Sequence, residues 1–160
     1  MGEYIFDTNC FYQISVLEKN IINNNNNKYF CSLVQYNEIK NKEITTYFSK
    51  ERKQRLLETY KMIEQKELPT ESFILGDPSA SFLGKSKLGT TGLFFKIKDD
   101  LNKLKNHKGN HNDGLIAEIA IKNNLILVTN DQDLCRITKK YYSDVITLAE
   151  FKKVYVKCDY

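Results

Sequence analysis

The alternation of short apolar segments with helical patterns constrains the fold of this chain more than any other feature. Strand-like apolar segments are predicted at residues 4–6, 29–32, 72–75, 125–129 and 145–147. Apolar residues at helical spacing predict helices at about 10–20, 33–42, 49–65, 93–105, 113–123 and 132–141, and again from about 148. Because strand and helix alternate repeatedly, the sequence predicts an α/β fold with a mostly parallel sheet and helices on both faces.

Length and composition indicate an ordinary cytoplasmic domain. A chain of 160 residues is expected to form a single domain, residues 1–160, with a substantial core. No apolar run approaches the roughly 20 residues that span a bilayer, and the N-terminus has no signal-peptide pattern, so no membrane partner is expected. The four cysteines are scattered without a C-x-x-C pair, and they are expected to be reduced thiols. They are Cys10, Cys31, Cys135 and Cys158.

The net charge of +4 is too small to prove a nucleic-acid partner. If four of the 20 acidic residues surround cations, however, 16 acidic residues remain against 24 basic ones, which leaves a net charge of +8 on the rest of the surface. Such a surface attracts a polyanion in a salt-dependent manner.

Acidic residues follow the predicted strands or begin the helices beside them. Asp7 follows the first strand, Asp131 follows the fourth, and Asp113 begins the helix that precedes the fourth strand. The carboxyl ends of parallel strands meet at one edge of a sheet, where ligands collect. Glu38, on the helix after the second strand, is a fourth candidate. The sequence therefore predicts an acidic site at this edge.

Each of these side chains also has a purely structural interpretation. Asp7 can be a plain helix cap, and Glu38 can be a solvated surface acid. Glu118 is interpreted as a structural surface residue, since it can pair with the lysine four positions later on the same helix face. The glycine and asparagine between His107 and His111 indicate a turn, so these two histidines are interpreted as polar loop residues.

The glycine-rich segment 76–92 is predicted to be a long loop. Its Gly84 precedes a lysine and a serine, as in a phosphate-binding P-loop, but the upstream Gly76 lies eight positions earlier where that motif needs five. ATP or GTP binding is therefore rejected. Lys85 and Lys87 are candidates for contacting a nucleic-acid backbone, although a solvated loop is the simpler interpretation. The basic face of the helix at 49–65 has the same two interpretations.

Clustered carboxylates have a restricted chemistry. Two of them about 4 Å apart repel by roughly 4 kcal/mol at an effective dielectric near 20, so a cluster keeps protons or binds cations. Oxygen ligands of this kind suit Mg²⁺ or Mn²⁺. Such an ion can deprotonate water, orient it toward a phosphodiester and stabilise the departing oxygen. The acidic residues therefore favour metal-dependent phosphodiester hydrolysis.

The order of five segments across almost the whole chain resembles the PIN-domain ribonucleases: YIFDTN, NEI, NDGLIAEIA, LILVTNDQDL and DVITLAEF. The resemblance implies a PIN-like (Rossmann-like) three-layer α/β/α sandwich with a central, mostly parallel sheet. The region at about 49–112 is long for the core of that family. By match to the family's motifs, the four acidic positions that bind metal and carry catalysis are Asp7, Glu38, Asp113 and Asp131. Asn9 and Thr129 match polar positions that support them. Asp133 either shares the metal role or caps the next helix.

The resemblance also implies an activity and partners. It predicts an Mg²⁺- or Mn²⁺-dependent endoribonuclease that hydrolyses RNA phosphodiester bonds, similar to the VapC-like toxins of toxin–antitoxin pairs. A cognate antitoxin and a homodimer are the implied protein partners. Two alternatives stay open: a PIN nuclease with an RNA-processing or defence role and no antitoxin, and a catalytically silent PIN-like module that binds RNA or protein.

Overall fold

The computed structural model describes residues 2–16, 27–63, 68, 92–105 and 107–156. The strands are β1 (Glu3–Phe6), β2 (Lys28–Phe30), β3 (Ile126–Thr129) and β4 (Val145–Thr147). The helices are α1 (Thr8–Val16), α2 (Leu33–Asn41), α3 (Lys50–Met62), α4 (Leu93–Leu104), α5 (Asn110–Lys122), α6 (Gln132–Thr138) and α7 (Leu148–Val156). The strand predicted at 72–75 lies outside the described residues, as does Cys158.

The four described strands form one sheet in the order β2-β1-β3-β4, and every neighbouring pair is parallel. The chain leaves β1 toward β2 on one side and reaches β3 on the other, so the strand order reverses beside β1. In open α/β sheets, ligands bind at the carboxyl ends of the strands where this reversal occurs. The predicted α/β class and parallel sheet are confirmed.

Side chains of each strand alternate between two hydrophobic cores, one on each face of the sheet. On β1, Tyr4 and Phe6 belong to one core and Ile5 belongs to the other. On β3, Leu127 and Val128 are divided between the cores in the same way. One core is completed by α4, α5 and α6, and the other by α1, α3 and α7. This arrangement is compatible with a three-layer α/β/α fold. Within the described part of the chain, none of the helices has the length and apolar character needed to span a bilayer.

Helix α5 begins earlier than predicted. It starts at Asn110 rather than Asp113, so Asp113 lies in its first turn. His111 is therefore a helical residue and not a loop residue, and its ring packs edge-on against Phe94 at 5.0 Å between centroids. The helix ends where predicted, because Asn124 adopts a left-handed backbone conformation with φ of 53°.

The packing of α4 against α5 corrects the interpretation of Glu118. This side chain is 1% exposed, and its carboxylate accepts the backbone N–H of Phe94 in the first turn of α4 at 3.4 Å. Glu118 is therefore structural, as predicted, but it is a buried helix cap and not a surface residue. Gly114 allows the two helices to approach closely, since a Cβ there would lie 3.3 Å from the Phe94 ring.

Candidate active site

Asp7 lies at the carboxyl end of β1, directly beside the end of β3. Its backbone N–H donates to Val128 O at 2.9 Å, which extends the pairing of the two strands by one residue. The side chain is 3% exposed, and its Oδ2 accepts Thr129 Oγ1 at 2.7 Å and Asn9 Nδ2 at 2.6 Å. The backbone N–H of Asn9 also donates to this carboxylate, which is a helix-capping contact. Asp7 thus combines the capping and the site interpretations.

Thr129 connects the carboxylates that follow β1 and β3. Its hydroxyl donates to Asp7 and accepts the backbone N–H of Asp131 at 3.0 Å, while its side chain is completely buried. Asn9 makes a similar bridge, because its Oδ1 accepts the backbone N–H of Asn130 at 3.3 Å. The two residues predicted as supporting therefore fix the position of Asp7 relative to the loop after β3.

A buried glutamine places Glu38 near Asp7. Gln35 Nε2 donates to Phe6 O at 2.6 Å, and Gln35 Oε1 accepts both the backbone N–H and the hydroxyl of Ser32, the N-cap residue of α2. These contacts attach the first turn of α2 to the end of β1. Glu38 follows one turn later, and its Oε2 accepts Thr8 Oγ1 at 2.7 Å. Gln35 was not predicted as a site residue.

Asp131 and Asp113 complete the acidic group. Asp131 is the N-cap of α6, and its Oδ1 accepts the backbone N–H groups of Asp133 and Leu134 at 2.8 and 2.9 Å. The other oxygen of Asp131 makes no hydrogen bond to any described residue. The same holds, among the residues that the structure describes, for the whole carboxylate of Asp113. Both acids therefore keep oxygens available for a ligand.

The four predicted acids line one cleft of about 290 Å³ at the carboxyl edge of the sheet. A smaller adjoining cavity of about 130 Å³ shares Asp113 and Asp131 with it. Other residues that line the larger cleft were not predicted as site residues: Tyr12, Lys42, Phe48, Arg52 and His107. Lys42 lies four positions after Glu38, His107 lies six positions before Asp113, and Arg52 lies on the next helix, but no local pattern indicates that these three side chains line the same cleft as the acids.

Burial of negative charge changes the acidity of two of these groups. Burial raises the pKa of Asp7 from 3.8 to about 7, and the charges of Glu38 and Asp131 contribute to the rise, while the hydrogen bond from Thr129 opposes it. Burial raises the pKa of Asp113 to about 8, and the charges of the other three acids contribute. Strong perturbation of neighbouring acids in a cleft is typical of functional sites.

The chemistry of the donor set fits Mg²⁺ or Mn²⁺, since all four side chains are carboxylates. Within the described residues, however, no group of three or more His, Cys, Asp or Glu side chains is arranged so that it can hold a metal ion. Mg²⁺ in nucleotide-processing sites usually keeps several waters and is bound by one or two carboxylates together with substrate phosphates. The cleft therefore fits an ion shared with a phosphate better than a closed cage of side chains.

Three further predicted residues have different outcomes. Asp133 does not cap α6, because Asp131 does. Its Oδ1 accepts Arg136 Nη2 at 3.0 Å, and it also lines the smaller cavity. Lys85 and Lys87 lie outside the described residues, and their contact with nucleic acid stays a prediction.

No protein-family model matches this chain, and no curated protein is significantly similar to it. Function therefore has to be inferred from the chemistry of the cleft.

Proposed function

We propose that this protein is a PIN-like, metal-dependent endoribonuclease, whose acidic cleft hydrolyses RNA phosphodiester bonds with the help of Mg²⁺ or Mn²⁺. One observation supports it above the others: four carboxylates from separate parts of the chain line a single cleft at the carboxyl edge of a parallel sheet. These are Asp7, Glu38, Asp113 and Asp131.

The four acidic side chains would have different roles, because their contacts differ. Asp7 and Asp131 would hold the ion, because Thr129 fixes both of them to the end of β3. Asp113 adds a carboxylate from the first turn of α5. Glu38 is held through Oε2 by Thr8, so its other oxygen is left to orient the attacking water and accept its proton. A divalent ion held here would supply Lewis-acid activation of the phosphodiester and the water.

Cleavage of labelled single-stranded RNA tests the proposal. With Mg²⁺ or Mn²⁺ we expect the wild type to cut RNA, with EDTA to stop it, and Asp7→Asn and Asp113→Asn to lower the rate by at least a hundredfold. A matched control is Asp99→Asn, which removes an exposed carboxylate of α4 outside the cleft. Cleavage that is equally fast in wild type and Asp7→Asn would refute the assignment.

The same variants separate the alternatives. A catalytically silent module would bind RNA without cutting it, and a Mn²⁺ titration by calorimetry would show no binding. The toxin role is proposed from the sequence resemblance alone, and it predicts that expression arrests growth unless a cognate antitoxin is present. Arrest by the wild type but not by Asp7→Asn would support that role, whereas cleavage activity without arrest would favour RNA processing or defence. The antitoxin and the homodimer stay predictions.

A further inference from the structure

One wall of the cleft is cationic and aromatic. It consists of Tyr12 on α1, Lys42 directly after α2, Phe48, and Arg52 on α3, and we call these four residues the cationic wall. Arg52 Cζ lies 4.9 Å from the centroid of the Tyr12 ring and 5.8 Å from that of Phe48. Lys42 Nζ lies 4.9 Å from the Phe48 centroid. Each cation is therefore held against an aromatic ring that faces the acidic site.

The rings position these two cations without neutralising them. Arg52 Nη1 donates to Tyr47 O at 3.4 Å, which occupies one of the five N–H groups of its guanidinium. Among the described residues, neither Lys42 nor Arg52 forms an ion pair with a carboxylate, although four carboxylates line the same cleft. The cleft therefore presents two positive charges that are available to an anionic ligand.

The ligand must carry negative charge on one side of the cleft and suit the acidic group on the other. A nucleic-acid strand meets this requirement, because one phosphate can contact the cationic wall while a neighbouring phosphodiester faces the carboxylates. Arginine is suited to this role, since its planar guanidinium binds phosphate oxygens in pairs. A cleft of about 290 Å³ lies at the low end of small-molecule pockets, so it has room for roughly one nucleotide.

We propose that Lys42 and Arg52 bind the phosphate adjacent to the scissile one in single-stranded RNA. This inference rests on the proposed function for the position of the scissile phosphodiester. Tyr12, 37% exposed, and Tyr47, 90% exposed, whose backbone carbonyl accepts a hydrogen bond from Arg52, offer rings on which unpaired bases can stack. The cationic wall thus selects a flexible strand whose bases are free to leave their stack.

Fluorescence anisotropy with a labelled single-stranded RNA in EDTA tests binding without cleavage. We expect the double variant Lys42→Ala/Arg52→Ala to bind more weakly, with a Kd at least tenfold higher than that of the wild type. Because each lost phosphate contact lowers the slope of log K against log salt by about 0.7 for single strands, we expect the slope to fall by about 1.4 in the double variant. Arg52→Gln, which keeps the side-chain stem on Tyr12, is a milder variant that preserves the fold, and it should lower the slope by about 0.7.

The matched control is Lys50→Ala with Arg55→Ala, which removes two cations from the same helix outside the cleft. Binding close to that of the wild type is expected for this control. Three results would overturn the inference: an unchanged Kd and slope in the variants of the cationic wall, an equal loss in the control, or equally tight binding of a duplex. If the variants of the cationic wall alone lose RNA binding, and the wild type cuts no RNA, the role of the cationic wall is upheld and the nuclease proposal is refuted. RNA cleavage that these variants leave unchanged would do the reverse.

Discussion

Replacing Asp7 with asparagine is expected to stabilise the metal-free protein near pH 8 while it removes activity. The carboxylate is 3% exposed, and its pKa is raised from 3.8 to about 7 mainly by burial. Between these two pH values the folded chain binds more protons than the unfolded chain, so the stability of the wild type falls as the pH rises toward 7 and stays low above it. Asparagine has no charge to bury, and its amide oxygen can still accept the hydrogen bond from Thr129.

The magnitude follows from the shift. Each pH unit between the two pKa values costs about 1.4 kcal/mol, so the wild type should lose about 2 to 3 kcal/mol through Asp7 between pH 5 and pH 8. The variant should not lose this contribution. The negative charge of Asp7 also raises the pKa of Asp113, so the substitution lowers that pKa and adds to the effect in the same direction.

Urea denaturation in EDTA at pH 5 and pH 8 measures the effect as a difference between variant and wild type. We expect Asp7→Asn to gain about 2 to 3 kcal/mol relative to wild type on going from pH 5 to pH 8. Asp99→Asn, at an exposed position, should show no such pH-dependent gain. With Mn²⁺ in place of EDTA at pH 8, the wild type should be stabilised and Asp7→Asn should not. A stability difference that is the same at both pH values would refute the view that a buried charge is held in the cleft.

Three further substitutions test how the site is supported. Gln35→Ala removes the side chain that contacts the buried backbone C=O of Phe6 and N–H of Ser32, so the free energy of unfolding in urea should fall by about 1 to 3 kcal/mol for each group. RNA cleavage should also slow, because the helix turn that carries Glu38 is no longer attached to β1. Full activity would contradict this anchoring role. Thr129→Val removes the hydrogen bond that lowers the pKa of Asp7, so this pKa should rise above 7 and the pH profile of RNA cleavage should shift to higher pH. An unchanged pH profile would contradict this role of Thr129. Glu118→Ala should destabilise by about 1 to 3 kcal/mol while Glu118→Gln retains most of the stability, and equal losses would show that the cap on α4 contributes little.

The acidic group was accessible from the sequence because its residues are next to recognisable elements. Asp7 and Asp131 directly follow apolar strands, and parallel strands bring their carboxyl ends together at one edge. The strand pattern also predicted the α/β class, since both faces of β1 and β3 are apolar. In these places local sequence and tertiary structure agree.

The remaining features depend on contacts between distant segments. Ser32 and Gln35 have the spacing of a capping box, which is a local signal, but nothing local indicates the contact of Gln35 with Phe6, which is 29 positions away. Glu118 was expected at the surface, but α4 packs over it and uses its carboxylate as a cap. Similarly, Arg52 belongs to a basic helix face that is indistinguishable from a solvated one until Tyr12 is placed beside it. Charges that serve a cleft and charges that serve solubility have the same sequence pattern.

Anomalous scattering from crystals grown with Mn²⁺ tests most directly whether the cleft holds a metal ion. We expect a peak inside the cleft, within bonding distance of at least one carboxylate oxygen of Asp7, Glu38, Asp113 or Asp131, and we expect this peak to be lost in crystals of Asp7→Asn. A wild-type structure with no ion in the cleft, or a peak of the same height in the variant, would contradict the central claim that this cleft is a metal-dependent catalytic site.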